Sequence, residues 1–147
     1  EAKEYMERYL ATFSGVASYQ SNVVEEAKEK GYVSTLMGRR RWLPELKSAN
    51  HNLRSFGERV ALNMPIQGTA ADVIKLAMIR VRDAIRAEGL KAQLILQVHD
   101  ELIVECPEEE AERVKALLTR EMVGVVDYTV PMKADSAAGK SWGEAKG

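Results

Sequence analysis

The sequence predicts an α+β fold in which antiparallel hairpins and strands pack with helices. Apolar residues recur at helical spacing near the N-terminus and again through the middle of the chain, which favours amphipathic helices. Short apolar runs at Leu94–Leu96 and Leu102–Val104 flank a polar segment and favour a β-hairpin. At 147 residues, with 46% hydrophobic and 29% charged residues, the chain has the size and composition of a globular domain.

Two helices and a basic hairpin are predicted in the N-terminal third. A helix over residues 2–13 carries a one-sided apolar stripe, and a second helix is predicted from about Ala17 to Lys30, with Gly31 just past its end. Gly38 allows a turn between two strands, and Pro44 limits the second of them. The stripe consists of Tyr5, Met6, Tyr9, Leu10 and Phe13, and the predicted strands are Tyr32–Met37 and Arg39–Leu43.

A long helical pattern follows, with Asn50 or Asn52 as its candidate N-cap. Pro65 and Gly68 interrupt the pattern. Because proline removes a backbone donor from a helix interior, we expect the helix either to kink there or to split into two pieces. The apolar positions of this pattern are Leu53, Phe56, Val60, Met64, Val73, Ile74, Ala77, Met78, Val81 and Ile85.

The remaining residues predict a second hairpin, a helix and a final strand. Gly89 ends the long helix, and Pro107 suits the first turn of the next one, with a glutamate run at the positive end of its dipole. The predicted elements are strands over 92–98 and 102–106 joined by a tip over 99–101, a helix from Pro107 to Met122, and a strand over about 128–134 before a tail that contains Trp142.

Charge is unevenly distributed although the net charge is only −1. Between Gly31 and Asn63 there are six basic residues and two acidic ones, whereas residues 107–122 hold five acidic and three basic residues. This asymmetry indicates one surface for a polyanion and another for solvent, and the alternative is that both are ordinary solvated faces.

The single cysteine, Cys106, excludes an internal disulfide framework, and we expect a packed thiol in a reducing cytoplasm. The charged N-terminus does not resemble a signal peptide. No stretch approaches the roughly 18 to 20 consecutive apolar residues of a membrane span. We therefore expect a cytoplasmic protein without a membrane partner.

Candidate metal chemistry lies at the tip of the second hairpin, where His99, Asp100 and Glu101 are consecutive. Ionised groups are costly to desolvate, so carboxylates between buried strands would mark a functional site. Hard oxygen ligands suit Mg²⁺ or Mn²⁺, which usually take one or two carboxylates together with substrate phosphates. Strand alternation sends neighbouring side chains to opposite faces, so the two acids need not be equal partners. The alternatives are water-exposed turn residues for the acids and a core or capping role for His99.

Candidate nucleic-acid contacts lie on the long helix. Arg59, Asn63 and Gln67 are spaced by four, so they share one helix face, and Arg54 adds a further positive charge. Such side chains can donate to phosphates and to the acceptors that every base pair offers in the minor groove, which senses duplex shape without reading sequence. The alternative is an ordinary polar face opposite the apolar stripe.

Three ordered motifs resemble family A DNA polymerases. They are Gly31-Tyr32-Val33 through Arg39-Arg40-Arg41-Trp42-Leu43-Pro44, then Asn63-Met64-Pro65-Ile66-Gln67-Gly68-Thr69-Ala70-Ala71-Asp72, then Gln97-Val98-His99-Asp100-Glu101-Leu102. The resemblance runs essentially from end to end and is closest to the C-terminal part of the polymerase domain. It implies a partial palm plus the end of the fingers, with residues 1–49 in the distal fingers and residues 50–147 in the palm.

The resemblance also implies roles for the candidate residues. Asp100 would bind a catalytic metal, with Glu101 as a supporting carboxylate, and His99 would lie near the primer terminus. The implied primer-template contacts are Arg59, Asn63 and Gln67, with Arg54 and the basic hairpin at Arg41 as further DNA-binding positions.

The implied reaction is attack of a primer 3′-hydroxyl on the α-phosphate of a deoxynucleoside triphosphate, in DNA replication or repair, with two Mg²⁺ ions as cofactors. The family's first palm aspartate and its nucleotide-gripping helix are absent from this sequence. We therefore expect a segment that needs the remainder of a polymerase chain and is inactive alone.

Two alternatives remain open on the sequence. A non-catalytic DNA-binding or subunit-interaction module could use the same scaffold. A small metal-dependent hydrolase using His99, Asp100 and Glu101 lacks a further ligand cluster. The sequence contains no GxxxxGK[ST] phosphate loop, CxxC pair or GxSxG elbow, which argues against a glycine phosphate cradle and against nucleophilic catalysis.

Overall fold

The computed structural model describes residues 2–146 and confirms the α+β fold class. The helices are α1 (Ala2–Thr12), α2 (Ser14–Lys30), α3 (His51–Ala87), α4 (Ala111–Val123) and α5 (Trp142–Lys146). The strands are β1 (Tyr32–Ser34), β2 (Arg40–Trp42), β3 (Gln93–Val98) and β4 (Glu101–Glu105), and 3₁₀ turns cover Pro44–Lys47 and Glu108–Glu110. Two compact units divide between Thr69 and Ala70, inside α3. No helix in this described range is both long and apolar enough to span a membrane.

The first helix, α1, forms as predicted but does not bury its apolar stripe. Tyr5, Met6, Tyr9 and Phe13 are all more than half exposed, and α1 has no buried residue. Tyr9 and Phe13 contact one another, with ring centroids 4.9 Å apart. The periodicity therefore predicted the helix correctly, but it does not show whether another part of the protein covers the apolar stripe.

The basic hairpin β1–β2 closes the first core. Gly31 ends α2 in the predicted left-handed conformation, with φ 77°. Its N–H donates to the last turn of α2, and its carbonyl accepts the N–H of Leu43, both at 2.9 Å. The buried residues of this core are Ala27, Val33, Leu43, Leu46 and Ala61.

Both strands of this hairpin are shorter than predicted. They pair antiparallel over three residues each, with Val33 opposite Arg41. Gly38 has the positive φ expected of a turn glycine, 84°, and its N–H donates to the Thr35 carbonyl at 3.0 Å. Leu36, predicted to continue the strand, lies in the turn and is exposed, so the first strand is shorter than the predicted Tyr32–Met37.

The long helix α3 runs unbroken through Pro65, so it does not split. Of the two candidate caps, Asn50 is the one that acts: its Oδ1 accepts the N–H of Asn52 at 2.9 Å. One continuous helix therefore carries the whole apolar pattern that the sequence predicted.

Thr69 and Gly68 join α3 to the turn of the first hairpin. The Thr69 hydroxyl donates to the Pro65 carbonyl and accepts the N–H of Leu36, the latter at 3.0 Å. A Cβ atom at Gly68 would lie 2.7 Å from Cγ2 of Thr35, so glycine allows this close approach. The interruption in the sequence pattern is therefore a packing point between helix and turn.

The second core lies between the end of α3, α4 and the β3–β4 hairpin. Helix α4 forms as predicted after a 3₁₀ turn, and Leu102 and Val104 of β4 pack against the core. Cys106 packs there too, as expected, and burial raises the pKa of its thiol. The buried residues are Val81, Ile85, Ala92, Val114 and Leu117.

The predicted final strand over residues 128–134 is wrong. This segment has no regular secondary structure, and Val130 is 75% exposed. A strand needs a neighbour that takes its backbone N–H and C=O groups, and within residues 2–146 no strand pairs with it. Apolar alternation is a local signal and does not provide that neighbour.

Candidate functional site

The β3–β4 hairpin is closed by a two-residue turn, His99 and Asp100, because Val98 pairs with Glu101. His99 has φ 53° and is the one non-glycine position with positive φ in the described part of the chain. For a residue with a Cβ atom this left-handed conformation costs roughly 1–2 kcal/mol of conformational free energy. The side-chain amide of Gln97 donates to the His99 carbonyl at 2.7 Å, which holds the turn in place. Strain of this kind is typical of sites where a side chain is needed in a fixed place.

The two acids at this turn have different surroundings. Asp100 is exposed, and within residues 2–146 its carboxylate has no hydrogen bond or ion pair. Glu101 is the first residue of β4, so the prediction that placed it in a three-residue tip is wrong. The Glu101 side chain is 40% exposed, and its Oε1 lies 2.9 Å from Nζ of Lys146.

The strands beside the turn are not buried, contrary to the expectation that made the carboxylates costly. Ile95 and Leu96 of β3 are 54% and 45% exposed. The register shifts between Leu94 and Leu96, so Ile95 is an extra residue in a β-bulge. Only one side of the hairpin packs on the core, and Asp100 stands in solvent. Its availability to a ligand therefore rests on exposure and a fixed turn rather than on desolvation.

Asp100 and Glu101 offer hard oxygen ligands, but they do not form a closed metal site by themselves. In residues 2–146 no group of three or more His, Cys, Asp or Glu side chains could hold a metal ion. An exposed carboxylate without a partner fits a cation such as Mg²⁺, which keeps several waters and is completed by substrate phosphates. The donor set is thus compatible with one ligand of a shared magnesium site.

The polar face of α3 is exposed as predicted. Arg59, Asn63 and Gln67 all lie in solvent, and their side chains make no hydrogen bond or ion pair with other described residues. Phe56 and Ile66 on the same side are 43% and 63% exposed. This face of α3 therefore carries exposed apolar side chains as well as free hydrogen-bond donors, which distinguishes it from a purely polar face.

A family model described as DNA polymerase family A matches residues 1–144. This chain belongs to DNA polymerase family A. DNA polymerase I of Geobacillus stearothermophilus is 54% identical over 146 residues, which is 99% of this chain and 17% of that protein. DNA polymerase I of Bacillus subtilis (strain 168) is 53% identical, with the same shares covered. The chain therefore spans about one sixth of the length of these curated relatives.

A solved family A structure has the same fold. The POL domain of Pol1 from M. smegmatis, in complex with DNA primer-template and dNTP, superposes with a TM-score of 0.96 and is 46% identical in sequence. The match covers 100% of this chain and 26% of that chain. The chain is thus a segment of a family A polymerase domain.

The remaining predicted DNA contacts, Arg54 and Arg41, differ in how free they are. Nη1 of Arg54 donates to the carbonyls of Ser48 and Ala49, at 2.8 and 3.2 Å, so this arginine fixes the loop that leads into α3. Arg41 is exposed on β2, opposite Val33. In this family A segment Arg41 is the freer of the two cations.

An aromatic cluster on the same hairpin was missed by the sequence reasoning. Tyr32 and Trp42 are cross-strand partners whose ring centroids lie 5.1 Å apart, and the Arg40 guanidinium lies 4.7 Å from the centre of the Tyr32 ring. Such pairs stabilise a short hairpin. The motif that carries the resemblance therefore also stabilises its own strands.

Part of the acidic surface of the second unit is paired with arginines. Glu88, just past α3, binds Arg113 at 3.0 Å and Arg120 at 2.8 Å, and Arg80 binds Glu121 at 3.3 Å. The hydrogen bond from Arg120, followed by that from Arg113, holds the pKa of Glu88 below its usual value. These pairs join the end of α3 to α4.

Two residues at the hairpin tip were not predicted to act there. Gln97 stood in the recognised motif, and a polar residue beside a tight turn was a signal that could have found it. Lys146 lies 45 residues away from Glu101 in a tail that was read only as small residues, and nothing in the local pattern pointed to their contact.

Proposed function

We propose that this chain provides part of the palm of a DNA-directed DNA polymerase that adds deoxynucleotides to a primer 3′-hydroxyl during replication or repair. The observation that supports it most is the exposed, unpaired Asp100 carboxylate on a fixed turn of a family A chain. The solved relative binds DNA primer-template and dNTP, which supports the same partners here. We place residues 1–49 in the fingers, residues 50–147 in the palm, and the protein in the cytoplasm.

In this proposal Asp100 holds one Mg²⁺ ion. That ion would lower the pKa of the primer hydroxyl or neutralise the phosphates of the incoming nucleotide. The turn at His99, held by the Gln97 amide, fixes the position of Asp100. Glu101 lies next to it at the start of β4 and is a nearby carboxylate that supports the site. The proposal leaves the second metal-binding carboxylate to the remainder of the polymerase chain, and the 147 residues alone then extend no primer.

The α3 face contacts the duplex in this proposal. Arg59, Asn63 and Gln67 donate to phosphates and minor-groove acceptors near the primer terminus, independently of base sequence. Arg41 adds a phosphate contact from the basic hairpin. Arg54 contributes mainly by holding the loop before α3, because its Nη1 is already engaged.

The deciding experiment replaces Asp100 by Asn in the full polymerase polypeptide that contains these residues. Primer extension should fall by about two orders of magnitude or more, because the loss of a metal ligand removes several kcal/mol of transition-state stabilisation. Primer-template affinity should stay within about twofold of the unsubstituted protein, which is much less than the tenfold change that about 1.36 kcal/mol would produce. Asp127→Asn, which changes another exposed aspartate, is the matched control. Near-normal extension by the Asp100 variant would refute the proposal.

The DNA-binding face is tested separately. Gln67→Ala and Arg59→Ala should weaken primer-template binding and leave the Mg²⁺ dependence of extension unchanged. Arg82→Ala, an exposed α3 arginine engaged with Asp83, is the control. Equal weakening by Arg59→Ala and Arg82→Ala, with no effect of Gln67→Ala, would mean that α3 contributes only general charge. Adding the missing part of the polymerase in trans separates enzyme from non-catalytic module, since only the enzyme regains extension.

A further inference from the structure

The C-terminal helix α5 is held in place by its own residues. The N–H of Lys140 donates to Oε2 of Glu144 at 2.9 Å, and the N–H of Ala145 donates to the Ser141 carbonyl at 3.0 Å. A Cβ atom at Gly139 would lie 2.7 Å from the Ala145 nitrogen, so glycine lets the approaching chain pass close to the helix. The tail is therefore folded onto α5 by specific contacts.

The last described residue of α5 reaches the candidate active-site hairpin. Nζ of Lys146 lies 2.9 Å from Oε1 of Glu101 and 5.6 Å from the centre of the Trp142 ring. Trp142 is one turn earlier on the same helix, so the ring and the carboxylate approach the same ammonium group. The ammonium group thus has two partners, although it remains 62% exposed.

Because of this contact, the two adjacent acids Asp100 and Glu101 differ in whether their carboxylates are paired. The Glu101 carboxylate is paired with Lys146, whereas the Asp100 carboxylate has no partner among residues 2–146. A divalent cation binds more tightly when a second free carboxylate lies nearby. If Lys146 were absent, the Glu101 carboxylate would be free to turn toward the cation held by Asp100 and act as a second ligand.

We propose that Lys146 is a positioning residue that holds Glu101 in its place on β4 and keeps it from ligating the metal bound by Asp100. The inference rests on the proposed function, because it assumes that Asp100 binds a divalent cation. It assigns to the C-terminal helix a role in the site: it sets which of the two adjacent carboxylates is available.

The test measures Mn²⁺ affinity in the full polymerase polypeptide by electron paramagnetic resonance of free Mn²⁺. Lys146→Met removes the charge but keeps the length of the side chain. It should tighten Mn²⁺ binding by about two- to fivefold, the range set by an exposed ion pair. Lys146→Arg should restore the original affinity, and Lys140→Met, which removes a charge from the same tail, is the matched control.

The double variant decides between positioning and simple charge. In a Glu101→Gln background Lys146→Met should leave Mn²⁺ affinity unchanged, because the freed carboxylate no longer exists. An equal tightening in both backgrounds, or an equal effect of Lys140→Met, would overturn the inference. A large loss of affinity in Glu101→Gln alone would also overturn it, since Glu101 would already be a ligand. Unchanged Mn²⁺ binding in Asp100→Asn would instead refute the metal assignment of the proposed function.

Discussion

The two hairpins of this chain turn by different means. In β1–β2 the residue with positive φ is Gly38, at 84°, which has no Cβ atom and adopts this conformation without strain. In β3–β4 it is His99, at 53°, which carries a side chain and is held by Gln97. The first hairpin presents arginines after its turn, and the second presents Asp100 inside it.

The difference shows that backbone strain is tolerated at the second turn and avoided at the first. A glycine at position 99 would make the second turn easier, but it would loosen the residue next to Asp100. The first hairpin needs no such fixed side chain, because its arginines stand on strand β2 and beside it. Strain is therefore located at the turn that carries the candidate ligand, as is common at functional sites.

The largest expected effect comes from the cores beneath the hairpins. Leu117→Ala should lower the free energy of unfolding by about 2–5 kcal/mol, because Leu117 is fully buried. Amide hydrogen exchange should then rise chiefly in β3–β4, whereas Leu43→Ala should affect chiefly β1–β2. Equal loss of protection in both hairpins after either change would show that the two cores do not act separately.

Substituting the two turn residues should change the free energy of unfolding differently. Gly38→Ala should destabilise by about 1–2 kcal/mol, because alanine is strained at positive φ. His99→Gly should stabilise or leave stability unchanged within about 1 kcal/mol, since it relieves the same strain while increasing unfolded-state entropy. Urea unfolding measures both. A marked destabilisation by His99→Gly would mean that the His99 side chain, rather than its backbone, holds the turn.

The smallest effect concerns acid pH and the Glu88 pairs beside β3–β4. The pKa of Glu88 is lowered in the folded protein, so its stabilisation is present above the ordinary value of 4.5 and is lost as pH falls through the folded value. Glu88→Gln should therefore reduce the loss of stability on acidification, and high salt should do the same. Glu108→Gln, an exposed glutamate of the same region, should not. An identical acid titration of stability in both variants would contradict this role.

The sequence predicted elements whose cause is local. Gly31, Asn50 and the spacing along α3 act through nearby backbone atoms, so their positions could be read directly. The strand at 128–134 and the burial of Ile95 were predicted wrongly, because both depend on surfaces that a local pattern does not reveal. The contact of Lys146 with Glu101 was missed for the same reason, since it joins distant parts of the chain.

The unbroken course of α3 through Pro65 also sets a length. An α-helix rises about 1.5 Å per residue, so Arg59, Asn63 and Gln67 form a row about 12 Å long on one face of α3. Base pairs in a duplex are stacked roughly 3.4 Å apart, and the row therefore spans about three to four steps. If this face binds a duplex as proposed, it would contact three to four base-pair steps at once.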